Sequence, residues 1–556
     1  MGSGPRRGAR RVAAGAVAAW GVLLGAAVVL AGCGGSAPAA PPARLVAAGA
    51  EVEVTGPVPS AEGANRRWTA VGDLPIPGAL RRVAMVGDRG WDSRSALVGG
   101  AGTRYRFRLR LPDQPALRVG LGYEPPAEGE AAGAVRHRVA VRPVAAEGGA
   151  AGAEEVVLDE TVSGGTGSGW RDRQVSLERW AGEEVVLELA TEIEPGSPRV
   201  AAWSAPEVVD LGGQEEGWDV LLISLDTLRA DHLGCYGYHR PTSPNLDALA
   251  ARGVRFATSV AQSPWTRPSH WSFLTGLYPA SNGGLESPLL AEALWRTGYR
   301  TTAITGGGQI NPEFGFDRGF EAYRIDDWVS APERVVRALE EHPGRKQLLF
   351  LHTYRIHDPY DDTRFAQGLP AGRIGDRFGE ADWRAFDNDL TDEEKVRVVA
   401  LYDGGIADTD RALGELFDGL ERSGLLRRTI VVVTSDHGEQ LWDHGSWRHG
   451  QNLFDHQLLV PLIVHLPPEL ARGLEAEGRV IADQVQLVDL YPTLLELLGV
   501  PLEHRVQGRS LVPLLAGEAL PPLDAFAENT NIKSYERKAF RSPRFKFVKS
   551  IPRSAL

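Results

Sequence analysis

Asp219-Val-Leu-Leu-Ile-Ser-Leu225, running directly into Asp226-Thr227-Leu228-Arg229-Ala230-Asp231-His232, is the stretch on which the architecture turns. A nearly continuous apolar run is the mark of a strand buried on both faces, as in the middle of a parallel sheet. Strand-like and helix-like segments alternate after it. Helices are predicted over Pro244–Gly253, Leu289–Gly298, Pro332–His342, Asp392–Gly424 and Val488–Gly499. Strands are predicted over Tyr299–Thr305, Gln347–Thr353, Thr429–Ser435 and Pro461–His465. The fold class is therefore α/β, a mostly parallel sheet flanked by helices. Ligands of such sheets sit beyond the carboxyl ends of the strands, which is where the chemistry is expected.

Upstream, residues 51–211 read differently. Short alternating runs such as Tyr105–Leu111, Leu117–Leu121, His137–Val141, Gln174–Leu177 and Val185–Ala190 are separated by Gly, Pro and Asp. Period-two alternation of this kind signals half-buried antiparallel strands, and an all-β sandwich is expected. The stretch from Trp170 to Trp203 resembles jelly-roll, galactose-binding-like modules. A packing or spacer role is expected for this domain, with carbohydrate binding as the alternative.

The chain has 556 residues and a formal net charge of −12. The excess of acids leaves no electrostatic footprint for nucleic acid. Residues 1–33 contain Arg6, Arg7, Arg10 and Arg11, no acid, and then an apolar run that ends in Leu30-Ala31-Gly32-Cys33. A basic segment followed by an apolar one is a targeting signal. Its end resembles a bacterial lipoprotein box, which implies cleavage before Cys33, lipidation of Cys33 and a lipid anchor at the cell envelope. Residues 34–50 read as a flexible tether. The two cysteines, Cys33 and Cys235, give no disulfide framework.

Two strands of the predicted sheet each deliver an aspartate at the same edge, Asp226 after the first and Asp436, followed by His437, after Thr429–Ser435. Two carboxylates and an imidazole suit one hard or borderline divalent cation. The third element is Thr266-Arg267-Pro268-Ser269-His270. Pro268 fits the first turn of a helix that ends at Gly276, so Thr266 falls at a helix N-terminus, where amides and dipole favour an anion. A hydroxyl there is either a cap or a nucleophile.

These segments, taken in order, resemble the sulfatase family of the alkaline phosphatase superfamily. The resemblance rests on Leu225–Gly234, Thr266–His270 with Leu274-Thr275-Gly276, and Thr434–Glu439. It extends to His357-Asp358-Pro359-Tyr360, Tyr402–Asp408, Val460–Val464 and Gln507–Leu511, and covers roughly residues 217–550. It implies a catalytic domain over 217–556, whose last strand region ends earlier than in family members, so that truncation at the C-terminus is expected.

The resemblance also assigns roles. Asp226, Asp436 and His437 would bind one divalent metal (Ca, Mg, Mn or Zn), with Thr266 against it as nucleophile. His357 would protonate the leaving group and His449 would contact the transferred group. Arg267 and His270 would meet the substrate, an anionic ester, free or carried on a glycan. Two positions depart from the family. The nucleophile is normally Cys or Ser, converted to formylglycine, in a pattern that continues to Arg; here they are Thr266 and His270. Oxidation at a threonine β-carbon gives a ketone rather than an aldehyde, so no formylglycine is expected. The expected activity is an exported hydrolase of phosphate diesters, phosphonates or sulfate esters that uses an unmodified threonine. The alternatives are a phosphoryl-group transferase of the envelope and a non-catalytic glycan-binding protein.

Overall fold

A computed structural model describes residues 43–44, 51–55, 80–87, 90–123, 133–145, 152–163, 169–194 and 200–552, the last with short gaps at 213–215, 282–286, 343, 387–388, 475 and 531–534. The targeting segment and Cys33 lie outside the described residues.

Asp219–Leu225 is a fully buried strand, paired in parallel with Gln347–Thr353 on one side and Thr429–Thr434 on the other. Its side chains alternate between two cores. Val220 and Leu222 pack with Phe256, Phe273 and Phe350 on one face. Leu221, Ile223 and Leu225 pack with Leu249, Leu401 and Leu413 on the other. Each face is covered by helices, which is why the strand carries no polar face of its own. The parallel set continues through Arg300–Thr305 to Ala322–Ile325.

One expectation is amended here. The strands of 51–211 do fall into two layers, but one layer is not separate from the α/β sheet. Gly90–Gly99 pairs antiparallel with Ala322–Ile325, then with Ala201–Asp210, which leads on to Pro115–Tyr123 and Arg171–Ser176. A single 15-stranded sheet therefore crosses the boundary drawn at 211–217. The other layer is a five-stranded antiparallel sheet containing Arg104–Arg110, Ala134–Pro143 and Glu184–Ile193. Trp203, Phe107 and Tyr105 fill the space between the layers. A second amendment concerns the tether: Ala43–Arg44 pair with Val208 and Glu207, so that part of 34–50 joins the 15-stranded sheet alongside Ala201–Asp210. No sequence signal marked this, because a strand of two residues has no period to read.

The helix Asp392–Arg422 runs for 31 residues behind the first strand. Its Tyr402 hydroxyl donates to the Thr227 carbonyl at 2.8 Å and accepts from the Arg229 amide at 3.0 Å. Thr227 has φ of 61°, a left-handed conformation that is unfavourable for a β-branched residue. The tyrosine clamp explains how the turn keeps it, and the turn in turn fixes Asp226.

Candidate active site

Asp226 follows the first strand directly, and Asp436 and His437 lie just beyond the strand Thr429–Thr434. Both strands run parallel and in register, so their carboxyl ends deliver these side chains to one point. The helix Thr266–Thr275 brings its first residue to the same point, with Gly276 (φ 73°) as its left-handed cap. Asp226, Asp436, His437 and His270 are fully buried, and Thr266 is only 3% exposed.

The Thr266 hydroxyl donates to Asp226 Oδ2 at 3.2 Å and lies 3.4 Å from His437 Nε2. Asp226, Asp436 and His437 each offer a ligand atom, all within 4.8 Å of one another; no other such group of three occurs among the described residues. Asp226 Oδ1 and Asp436 Oδ2 are buried and have no hydrogen-bond partner. Buried carboxylate oxygens are rarely left orphaned, and two at one point call for a cation. His437 is turned for the same purpose: its Nδ1 contacts the Gly438 carbonyl at 2.9 Å, leaving Nε2 to face the aspartates. The donor set therefore fits one divalent ion.

Electrostatics agree with that reading. Burial, and then the charge of Asp226, hold Asp436 well above the usual carboxylate range. Burial opposes ionisation of Asp226 too, but the His352 contact and the neighbouring imidazoles outweigh it and hold Asp226 well below that range. Without a cation the two carboxylates therefore resist being ionised together. Burial, and then the charge of His449, lower His437 to about 4, so the imidazole is neutral, as a ligand must be.

A cleft of roughly 670 Å³ opens above this cluster, with Thr266, Arg267, Tyr354, His357, Arg448 and His449 among its walls. His357 and His449 stand together, ring centres 4.9 Å apart. Burial opposes a proton on His357, but Asp226, Asp358 and Glu439 together raise it above the usual histidine range. His357 Nδ1 contacts the Asp358 carbonyl at 2.7 Å, which leaves Nε2 to the cleft. His449 Nδ1 contacts the buried carboxylate of Glu439 at 3.1 Å, and the Tyr360 hydroxyl donates to that carboxylate at 2.9 Å.

The structure brings Thr266, His357, His449 and Arg267 to the walls of one cleft and sets Asp226, Asp436 and His437, buried, against Thr266. His270 is the exception and corrects the expectation that it meets substrate. It is fully buried behind Thr266, with Nδ1 2.8 Å from the Thr266 carbonyl and Nε2 3.0 Å from Ser224 Oγ. Facing inward one helical turn after Thr266, it steadies that residue instead of lining the cleft. Burial, and then the charge of His352, hold it well below the usual histidine range, so it is neutral.

Sequence reasoning missed His352, Glu439, Arg448 and Tyr354 as site residues. His352 Nε2 lies 3.4 Å from Asp226 Oδ2. Its signal was available, because His352 pairs with Ser224 across the parallel strands, two residues before Asp226. Arg448 has φ of 83°, and its Nη1 pairs with Glu380 at 2.8 Å at the cleft wall; nothing in the sequence announced a non-glycine residue in that conformation.

A family model described as Sulfatase matches residues 219–500, half of the chain. The chain belongs to the sulfatase family. This makes it a hydrolase of the sulfuric and phosphoric ester class. It is 24% identical over 379 residues to an arylsulfatase of Clostridium perfringens, covering 53% of this chain and 78% of that one. It is 37% identical over 124 residues to arylsulfatase K of Bos taurus, a match that spans 22% of each protein. Among solved structures it is similar to the phosphonate monoester hydrolase of Agrobacterium radiobacter, with a TM-score of 0.49, 23% identity, and coverage of 60% of this chain and 87% of the other. No helix among the described residues is long and apolar enough to cross a membrane.

Proposed function

We propose that this sulfatase-family protein cleaves phosphate diesters or phosphonate esters, and sulfate esters less readily, through Thr266 as an unmodified nucleophile. The observation that carries the reading is the placement of the Thr266 hydroxyl 3.2 Å from Asp226 Oδ2, beside two orphaned carboxylate oxygens, at the base of the cleft. Asp226, Asp436 and His437 would hold one divalent cation. That ion, when bound, supplies positive charge that lowers the threonine hydroxyl pKa and offsets charge on the ester oxygens.

The residues divide the remaining work. The Thr266 oxygen attacks phosphorus, and its proton leaves by way of Asp226 Oδ2, the group it already faces, to water in the cleft. The bond from phosphorus to the leaving oxygen breaks, and His357 gives that oxygen a proton. The threonyl ester is then cleaved by water, which returns the hydroxyl to Thr266. His449, held by Glu439, donates to an oxygen of the transferred group. Arg267 and Arg448, on the cleft walls, offer guanidinium groups to an anionic substrate. Export and lipid anchoring through Cys33 are a separate part of the proposal and rest on the sequence of residues 1–33.

The test is turnover by metal-loaded protein on an aryl phosphate diester, an aryl phosphonate, an aryl phosphate monoester and an aryl sulfate. The expected order puts the diester or phosphonate first, with a loss on the order of a thousandfold or more in Thr266→Ala. Full turnover by Thr266→Ala would remove the nucleophile assignment, and aryl sulfate as the best substrate would remove the preference. Fractionation of cells expressing Cys33→Ser tests the anchor: membrane association as strong as the wild type's rules it out.

A further inference from the structure

The edge of the parallel sheet opposite the active site holds a second cavity, of roughly 190 Å³. Its walls come from both parts of the 15-stranded sheet. Arg118, Gly120 and Ser204 belong to the antiparallel part. Arg300 opens the parallel strand Arg300–Thr305, and His342 precedes the strand Gln347–Thr353. Parallel strands of six and seven residues rise about 3.3 Å per residue, so roughly 20 Å separates this edge from the one that carries Asp226.

The wall is basic and only partly neutralised. Arg94 pairs with Asp92 and Asp172, Arg173 with Glu160, and Arg300 with Glu321. Arg118 makes no direct ion pair among the described residues, and the buried carboxylate of Glu207 acts on it only through space; its Nε donates to Gln174 Oε1 at 2.9 Å, and its Nη1 is buried without a hydrogen-bond partner. Arg118 is 6% exposed and Arg300 8%, and Arg300 Nε is also buried and unpartnered. Burial and then the surrounding arginines, Arg300 foremost, hold His342 well below the usual histidine range, so the imidazole adds no charge. A buried guanidinium donor with no acceptor is costly, and Arg118 and Arg300 both present one.

The backbone is shaped to the same place. The pairing of Pro115–Tyr123 with Ala201–Asp210 slips between Ser204 and Glu207, and Ala205 inside the slip has φ of 41°. Bulges and left-handed residues other than glycine are retained where a structure needs them and are otherwise selected against. Gly120 forms the floor: a Cβ there would come within 3.1 Å of Arg94 Nη1 and 3.0 Å of Ser204 Cβ.

We propose that this cavity is an oxyanion site, in which the guanidinium groups of Arg118 and Arg300 take the oxygens of a sulfate, phosphate or carboxylate group. The planar guanidinium fork matches such groups and no cation or neutral ligand of that size. The volume admits one such group, either a free inorganic ion or the acidic substituent of a sugar whose body stays outside. The site is independent of the metal cluster and of the reaction assigned to it.

Isothermal titration of the full-length, metal-loaded protein with inorganic sulfate, inorganic phosphate and glucuronate tests it, with Thr266 and the metal ligands left intact. The expected result is a binding event that Arg118→Gln weakens about tenfold or more, the effect of one lost charge-assisted hydrogen bond, while turnover in the absence of added anion is unchanged. Tighter binding of glucuronate than of the inorganic ions identifies a sugar-borne acid as the ligand; the reverse order identifies a free ion. Equal affinity in wild type and Arg118→Gln for all three overturns the proposal. A crystal soaked in selenate gives a readout that needs no variant: an anomalous peak between Arg118 and Arg300 supports the site, and a soak with a peak in the active-site cleft but none there overturns it.

Discussion

The hydroxyl of Thr266 sits 3.2 Å from Oδ2 of Asp226, although the two residues come from a helix N-terminus and a strand C-terminus. The pairing makes the hydroxyl a donor to a carboxylate that would also be a metal ligand. Thr266→Ser keeps that donor and removes only a methyl group. It is therefore expected to retain turnover within about tenfold of wild type, whereas Thr266→Ala loses it on the order of a thousandfold. Comparable kcat values for the serine and alanine variants would show that the hydroxyl takes no part.

The two orphaned oxygens, Asp226 Oδ1 and Asp436 Oδ2, give a prediction about stability. A cation bound only by the folded state stabilises it by about 2.7 kcal/mol at a hundred times its Kd. Excess metal is expected to raise the Tm of the wild type and to leave Asp436→Asn unmoved. In chelator the order changes, because Asp436 is a buried carboxylate held against ionisation by burial and by Asp226. There Asp436→Asn is expected to melt at or above the wild-type temperature. Thermal scans with and without metal check both halves, and an equal metal response in the two proteins would contradict the ligand assignment.

The parallel sheet and the meeting of Asp226, Asp436 and His437 were legible because each rests on a short pattern. Five apolar residues in a run of seven name a doubly buried strand, and an aspartate after it falls at the ligand edge by the geometry of the sheet. His270 and His352 were not legible in this way. Their roles depend on which way a helix face and a strand face turn, so His270 was expected in the cleft and lies behind it, while His352 was passed over and touches Asp226. The continuity of the sheet from Ala322–Ile325 into Gly90–Gly99 was also hidden. An edge pairing between segments more than two hundred residues apart leaves no local trace, since either strand alone looks complete.

Glu439 is a fully buried carboxylate whose partners are His449 Nδ1 and the Tyr360 hydroxyl. It touches no part of the cleft itself, so its effect on the reaction would pass through His449, which it holds, and His357, whose proton it favours. Glu439→Gln keeps the shape and removes the charge that helps to raise His357 above the usual histidine range. A 10- to 100-fold fall in kcat with little change in KM is expected, the usual range for such supporting partners. The pH–rate profile should shift as well, a change that loss of packing alone would not produce. A profile identical to wild type would assign Glu439 to the fold and not to the reaction.

Glu394 gives a pH dependence that is independent of the active site. It closes the N-terminus of the long helix Asp392–Arg422 through a reciprocal pair with Thr391, and it receives Arg373 Nη2 at 2.7 Å. The Arg373 hydrogen bond, and then the Thr391 amide, lower its carboxyl from the ordinary 4.5 to about 2. A carboxyl depressed on folding contributes stability that is fully present above pH 4.5 and is lost as the pH falls towards 2. Glu394→Gln is therefore expected to lower stability at pH 7 by about 1 kcal/mol, the scale of a lost helix cap. At pH 2 the difference between variant and wild type should shrink towards zero, because the native carboxyl is then half protonated. Urea unfolding of both proteins at the two pH values measures it. A gap that stays constant, or widens in acid, would show that the interaction does not depend on the charge of Glu394.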